Sequence, residues 1–89
     1  MARVVFTPNL RRHVACPDVD APGATVGEVL AHVFADNPAL RGYVVDERGV
    51  LRKHMAVFID GRQLVDREQL SDRVDARAEV YVMQALSGG

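Results

Sequence analysis

Residues 25–36 carry the one strongly helical pattern in the chain, and a lone helix must bury its apolar stripe against something else. Thr25 is a good N-cap and Glu28 follows three residues on, the spacing of a capping box. Val26, Val29, Leu30, Val33 and Phe34 then recur at i, i+3, i+4, i+7 and i+8, which lines one face of a helix. Asn37-Pro38 ends the pattern. A helix over Thr25–Asp36 is expected, and the partner for its stripe has to come from the short β-type runs on either side.

Those runs are read as follows. Arg3–Thr7 is β-branched and aromatic and closes on the turn-forming Thr7-Pro8-Asn9. Arg12–Cys16 is read as the returning arm of a hairpin, and Pro17–Gly23 as a loop. After the helix, Gly42–Asp46 is read as a short strand, with Val50-Leu51 pairing back across the polar turn Glu47-Arg48-Gly49. His54–Asp60 is a stronger strand, Asp60-Gly61 a hairpin turn and Gln63–Val65 its return. Residues 66–75 form a charged connection that tucks Leu70 and Val74 into the edge of the core. Ala78–Leu86 is the last strand.

The order β-β-α-β-β-β predicts an α+β domain with a mixed sheet of four or five strands and one main helix on one face. With the first and last strands central and parallel, this is a β-grasp, the ubiquitin-like architecture. Residues 1–84 are expected to form the domain and residues 85–89 a flexible C-terminal tail.

The charges, 12 acidic against 11 basic, are scattered along the 89 residues and show no basic stripe that would point to nucleic acid. No apolar run approaches the length of a membrane span, and the N-terminal apolar run is too short for a signal peptide. A cytoplasmic protein without nucleic-acid or membrane partners is therefore expected. Cys16 is the sole cysteine, which rules out an internal disulfide and any thiolate cluster. It has no adjacent base or helix N-terminus to lower its pKa and is read as a bystander. His13, His32 and His54 share no metal-ligand spacing, so no metal site is expected. No Ser/His/Asp set, phosphate-binding glycine loop or paired carboxylate is present either, and no catalytic residue is assigned.

The chemistry is expected at the other end. The sequence closes on Ala85-Leu86-Ser87-Gly88-Gly89. Two glycines carry no side chain to clash in a narrow channel and permit backbone dihedrals closed to other residues. A terminal Gly89 carboxylate on such a lead is suited to attack the α-phosphate of ATP inside an activating enzyme.

This end, residues 75–89, together with the N-terminal hairpin, the helix near 25–36 and the strand ending in Asp60-Gly61, resembles the MoaD/ThiS family of sulfur-carrier proteins. Ala76-Arg77 stands where a Gly-Asp turn is usual in that family, and Leu86-Ser87 replaces a more frequent Val-Ala or Val-Gly. The resemblance implies a carrier rather than an enzyme. An E1-like adenylyltransferase would adenylate Gly89 with ATP, a sulfurtransferase or persulfide donor would convert it to a thiocarboxylate, and a downstream synthase would accept the sulfur. No cofactor is bound by the carrier; ATP is used by the activating partner. Ala85, Leu86, Ser87 and Gly88 would thread into the partner. The chain is longer than the short thiazole-type carriers, with the additional length around Gly42–His54, and the segment Lys53–Asp60 resembles the longer molybdopterin-type and cysteine-type carriers.

Alternation in the last strand places Tyr81 and Met83 on the face opposite Val80 and Val82. If the valines face the helix, Tyr81 and Met83 lie exposed near the tail and form a docking patch. Two other readings stand beside the carrier: a ubiquitin-like modifier joined to other proteins by an isopeptide bond, and a non-covalent interaction module.

Overall fold

Apolar residues alternate along β1, Ala2–Phe6, so that Ala2, Val4 and Phe6 are buried while Arg3 and Val5 face the other way. The computed structural model describes residues 1–84. Directly after β1, Thr7-Pro8 does more than turn. Proline's fixed φ suits the first helical position, and Pro8–Arg11 forms a one-turn helix, α1, that buries Leu10. The residues that follow it, Arg12–Cys16, expected to return as a strand, wind off the helix as turn and irregular chain, with His13 N–H and Val14 N–H donating to the Leu10 carbonyl. The hairpin partner is instead β2, Val19–Ala21, within the segment read as a loop, antiparallel to β1 with Arg3 opposite Asp20.

The helix α2 spans Val26–Asp36 as expected. Glu28 N–H donates to Thr25 Oγ1, and Glu28 Oε1 accepts from Ala24 N–H, one residue earlier than in the usual capping box. The next two free amides at this end are taken up by a distant loop. Val26 N–H donates to the Asp72 carbonyl and Gly27 N–H to the Leu70 carbonyl. Leu70 takes a left-handed conformation, φ 56°, while its side chain stays buried. The connection 66–75 is thus tied to the helix, and Leu70 and Val74 are in the core as read.

Gly42–Asp46 is not a strand. Pro38 starts a third helix, α3, over Pro38–Val44, in which Leu40 and Val44 at i and i+4 are fully buried. Val44-Val45 supplied the β-like signal, but only Val45 pairs, in an isolated bridge with Leu51. β3, Met55–Ile59, then turns through Asp60 and Gly61, both with positive φ (50° and 87°), into the two-residue β4, Arg62–Gln63. β5 is Glu79–Gln84.

The sheet order is β2-β1-β5-β3-β4, with β1 and β5 parallel at the centre and the other neighbours antiparallel. Val4, Phe6, Val57, Ile59, Val80 and Val82 share one buried cluster with Val26, Val29, Leu30 and Val33 of α2. This is a β-grasp. Phe34, at the edge of the stripe, packs against the cluster while remaining partly open.

Candidate functional site

The central position of β5 decides what surrounds the chain where it leaves the sheet. Val80 and Val82 are fully buried against the helix side, so Tyr81 and Met83 lie on the opposite face. Register fills in their neighbours. Tyr81 sits between Val5 of β1 and Phe58 of β3, and Met83 stands opposite Ala56. All five are half-buried rather than exposed. Arg3, Asp20, Gln63 and Glu79 are exposed around them. An apolar strip with a charged and polar margin has the composition of a protein-docking surface. Val5, Ala56 and Phe58 were not singled out from sequence, since alternation gives a residue's face only after the pairing of three strands is known.

The end of β5 is clamped to the end of β1. Thr7 N–H donates to the Val82 carbonyl at 3.1 Å, and Gln84 N–H donates to Thr7 Oγ1 at 3.4 Å. Thr7, Pro8, Asn9, Met83 and Gln84 line a depression of about 360 Å³ there. On the other side Met55 pairs with Gln84. The exit of the chain is thereby held by both neighbouring strands. Ala85, Leu86, Ser87, Gly88 and Gly89, expected to thread into a partner and to carry the activated carboxylate, lie outside the described residues. A larger groove, about 690 Å³, runs along α2 past Gly27, Phe34, Arg41 and Gln69 and shares no residue with this exit.

The remaining candidates have structural explanations. Cys16 is buried, and burial is the main influence pushing its thiol above the ordinary range; Arg11 opposes the shift and Asp18 adds to it. Since the thiolate is the nucleophile, Cys16 of the native protein should react with a disulfide reagent at pH 7.5 at least about tenfold more slowly than in denaturant. Equal rates would show that the thiol is accessible after all. His13 stacks on Tyr43 with ring centroids 6.1 Å apart, and His32 and His54 are exposed. Among the described residues no three His, Cys, Asp or Glu side chains come close enough to hold a metal ion.

Asp66, in the charged connection, is a hub of local order. Its carboxylate accepts from the amides of Glu68, Gln69 and Ser71 and from the Ser71 hydroxyl. The Gln69 amide and the Ser71 hydroxyl do most to hold its pKa below the usual carboxylate range. Arg67 donates to the carbonyls of Arg52 and Met55, filling the edge of β3 that the short β4 leaves open. Among the described residues no helix is long and apolar enough to cross a membrane.

Comparison with known proteins agrees with this arrangement. A model of the ThiS family matches residues 10–89. A chain of the Amycolatopsis orientalis BexX/CysO complex superposes with a TM-score of 0.83 at 23% identity, over 100% of both chains. Small archaeal modifier protein 1 of Methanosarcina acetivorans gives 0.82 at 22% identity, covering 99% of this chain and 95% of that one. Its counterpart from Haloferax volcanii gives 0.78 at 26% identity, covering 99% and 98%. No curated protein matches the chain in a sequence search.

Proposed function

The chain belongs to the ThiS family of ubiquitin-like sulfur carriers, and on that premise we propose that the Gly89 carboxylate is its working group. In this reading an E1-like adenylyltransferase binds the carrier, and the carboxylate oxygen attacks the α-phosphate of ATP and expels pyrophosphate. Sulfide, or the outer sulfur of a persulfide donor or sulfurtransferase, then attacks the acyl adenylate and expels AMP. With a persulfide, a second thiol reduces the resulting acyl disulfide to the thiocarboxylate. A carboxylate is a poor electrophile; the mixed anhydride makes the sulfur attack feasible. The thiocarboxylate is the cargo, handed to a synthase in molybdopterin-type cofactor or cysteine biosynthesis, in the cytoplasm.

The carrier in this scheme has no catalytic residue and binds no cofactor; ATP belongs to the activating partner. Its own contributions are positional. Tyr81 and Met83, flanked by Val5 and Phe58, provide the docking face, and Ala85, Leu86, Ser87 and Gly88 lead Gly89 into the partner. The observation that supports this most directly is the place of β5. A central strand, clamped at Gln84 by both neighbours, brings the chain out beside an apolar strip. Docking on that strip would aim the tail.

The experiment is an intact mass after incubation with ATP, a sulfur donor and the E1-like enzyme of the same organism. A gain equal to sulfur replacing one oxygen, absent without ATP, is expected. No gain with the native terminus confirmed would overturn the reading. A second reading, protein modification through an isopeptide bond at Gly89, is favoured by the likeness to the Haloferax modifier protein. It predicts the intact chain attached to larger proteins in a lysate.

A further inference from the structure

Four of the cations scattered along the sequence meet at one end of the sheet. β1 runs parallel to β5, so the residues after it, Pro8–His13, stand at the end of the sheet where Gln84 lies, tied there through Thr7. β3 runs antiparallel with Met55 opposite Gln84, and the turn before it closes through Met55 N–H donating to the Arg52 carbonyl at 2.9 Å. Arg52, Lys53 and His54 therefore flank the same exit from the other side. The two segments together hold Arg11, Arg12, Arg52 and Lys53, with His13 and His54 and no acidic residue. The opposite end of the sheet is mixed, with Asp60 and Glu79 beside Arg62 and Arg77.

Two of these cations are occupied. Arg11 pairs with Asp18, and Arg52 Nε donates to the Gly42 carbonyl at 2.7 Å. Arg12 and Lys53, the only lysine of the chain, are exposed, and neither has an ion pair among the described residues. We propose that Arg12 and Lys53 form a cationic collar around the exit of the chain, which seats on an acidic rim around the partner opening that receives residues 85–89. The proposal rests on the carrier reading.

Reach and composition argue for a protein rim. Five residues can span up to about 17 Å, so a partner can hold the nucleotide that reacts at Gly89 well inside while a collar at Gln84 meets the surface around the opening. The collar also adjoins the apolar strip at Met83, giving the apolar centre and charged margin of a protein–protein contact. A nucleic-acid site draws on many more phosphate contacts than two free cations offer, and the chain as a whole is slightly negative. Charges at such a margin act mainly on encounter and weaken with salt.

The test is ATP–pyrophosphate exchange by the E1-like enzyme with wild-type carrier, Arg12→Glu/Lys53→Glu, the milder Arg12→Gln/Lys53→Gln, and Arg77→Glu at the far end of β5. The reversed pair should raise KM for the carrier at least about tenfold at low salt with kcat retained, and the neutral pair less. Added NaCl should raise the wild-type KM and close the gap, and Arg77→Glu should behave as wild type. An unchanged KM in either folded double variant overturns the collar. So does an unchanged KM accompanied by loss of binding to a single-stranded DNA oligonucleotide, which would assign the cations to nucleic acid. A wild type that is not adenylated at all overturns the carrier reading and the collar with it, whereas a normal wild type beside a normal double variant overturns the collar alone.

Discussion

Gly89→Ala should lower the rate of carrier adenylation by about a hundredfold while leaving the unfolding midpoint unchanged, and deletion of Gly89 should abolish adenylation altogether. The first figure follows from the sensitivity of positioned reactions, in which a misplacement of about 1 Å costs on the order of a hundredfold. In the proposed carrier cycle, a methyl group on residue 89 would crowd the activating enzyme's channel and displace the carboxylate by about that much. The stability half follows from composition: Gly89 has no side chain to lose from a core, and the described ladder already closes at Met55 opposite Gln84. ATP–pyrophosphate exchange and thermal unfolding on the same preparations check both halves. Normal exchange by the deletion variant would remove Gly89 from the chemistry and leave a non-covalent module as the better account.

What the sequence makes legible here is whatever obeys a local rule. The capping box and apolar stripe place α2, Asp60-Gly61 places its turn, and Val80 and Val82 place the buried face of β5. Elements that depend on a choice between two local rules were harder to read. Pro8 and Pro38 act as turn or helix terminators in one context and as first helical residues in another. Here both start helices, so the expected strands at 12–16 and 42–46 give way to α1 with the chain that follows it, and to α3. β2 was hidden because three residues between Pro17 and Pro22 make a weak strand signal until Arg3 supplies the opposite charge to Asp20.

The candidate site divides along the same line. Tyr81 and Met83 are visible from alternation within one strand. Val5, Phe58 and Ala56 join them only through the pairing of β5 with β1 and β3. Arg12 and Lys53 are 41 positions apart in the chain, and the exit they flank exists only once the two central strands are parallel. Nothing in the sequence near either residue marks them as neighbours of the same feature.

The apolar strip makes the second large prediction. Tyr81→Arg should weaken docking to the E1-like enzyme by about thirtyfold, the equivalent of about 2 kcal/mol at a central aromatic anchor. The fold should survive the change. Tyr81 is half-buried on the outer face, and the arginine stem can lie between Val5 and Phe58 with its head in water. The effect should fall on KM in the exchange assay and leave kcat near wild type, because the reacting carboxylate is not moved once the complex forms. The lost contact is apolar, so the effect should persist at high salt, where the charge that the arginine adds is screened, and in that it differs from reversal of Arg12 and Lys53. A wild-type KM for Tyr81→Arg would mean that the partner grips another surface, and the groove beside Phe34 and Arg41 would then be the next place to substitute. If both sets of variants raise KM with opposite responses to salt, the strip and the collar act as centre and margin of one interface.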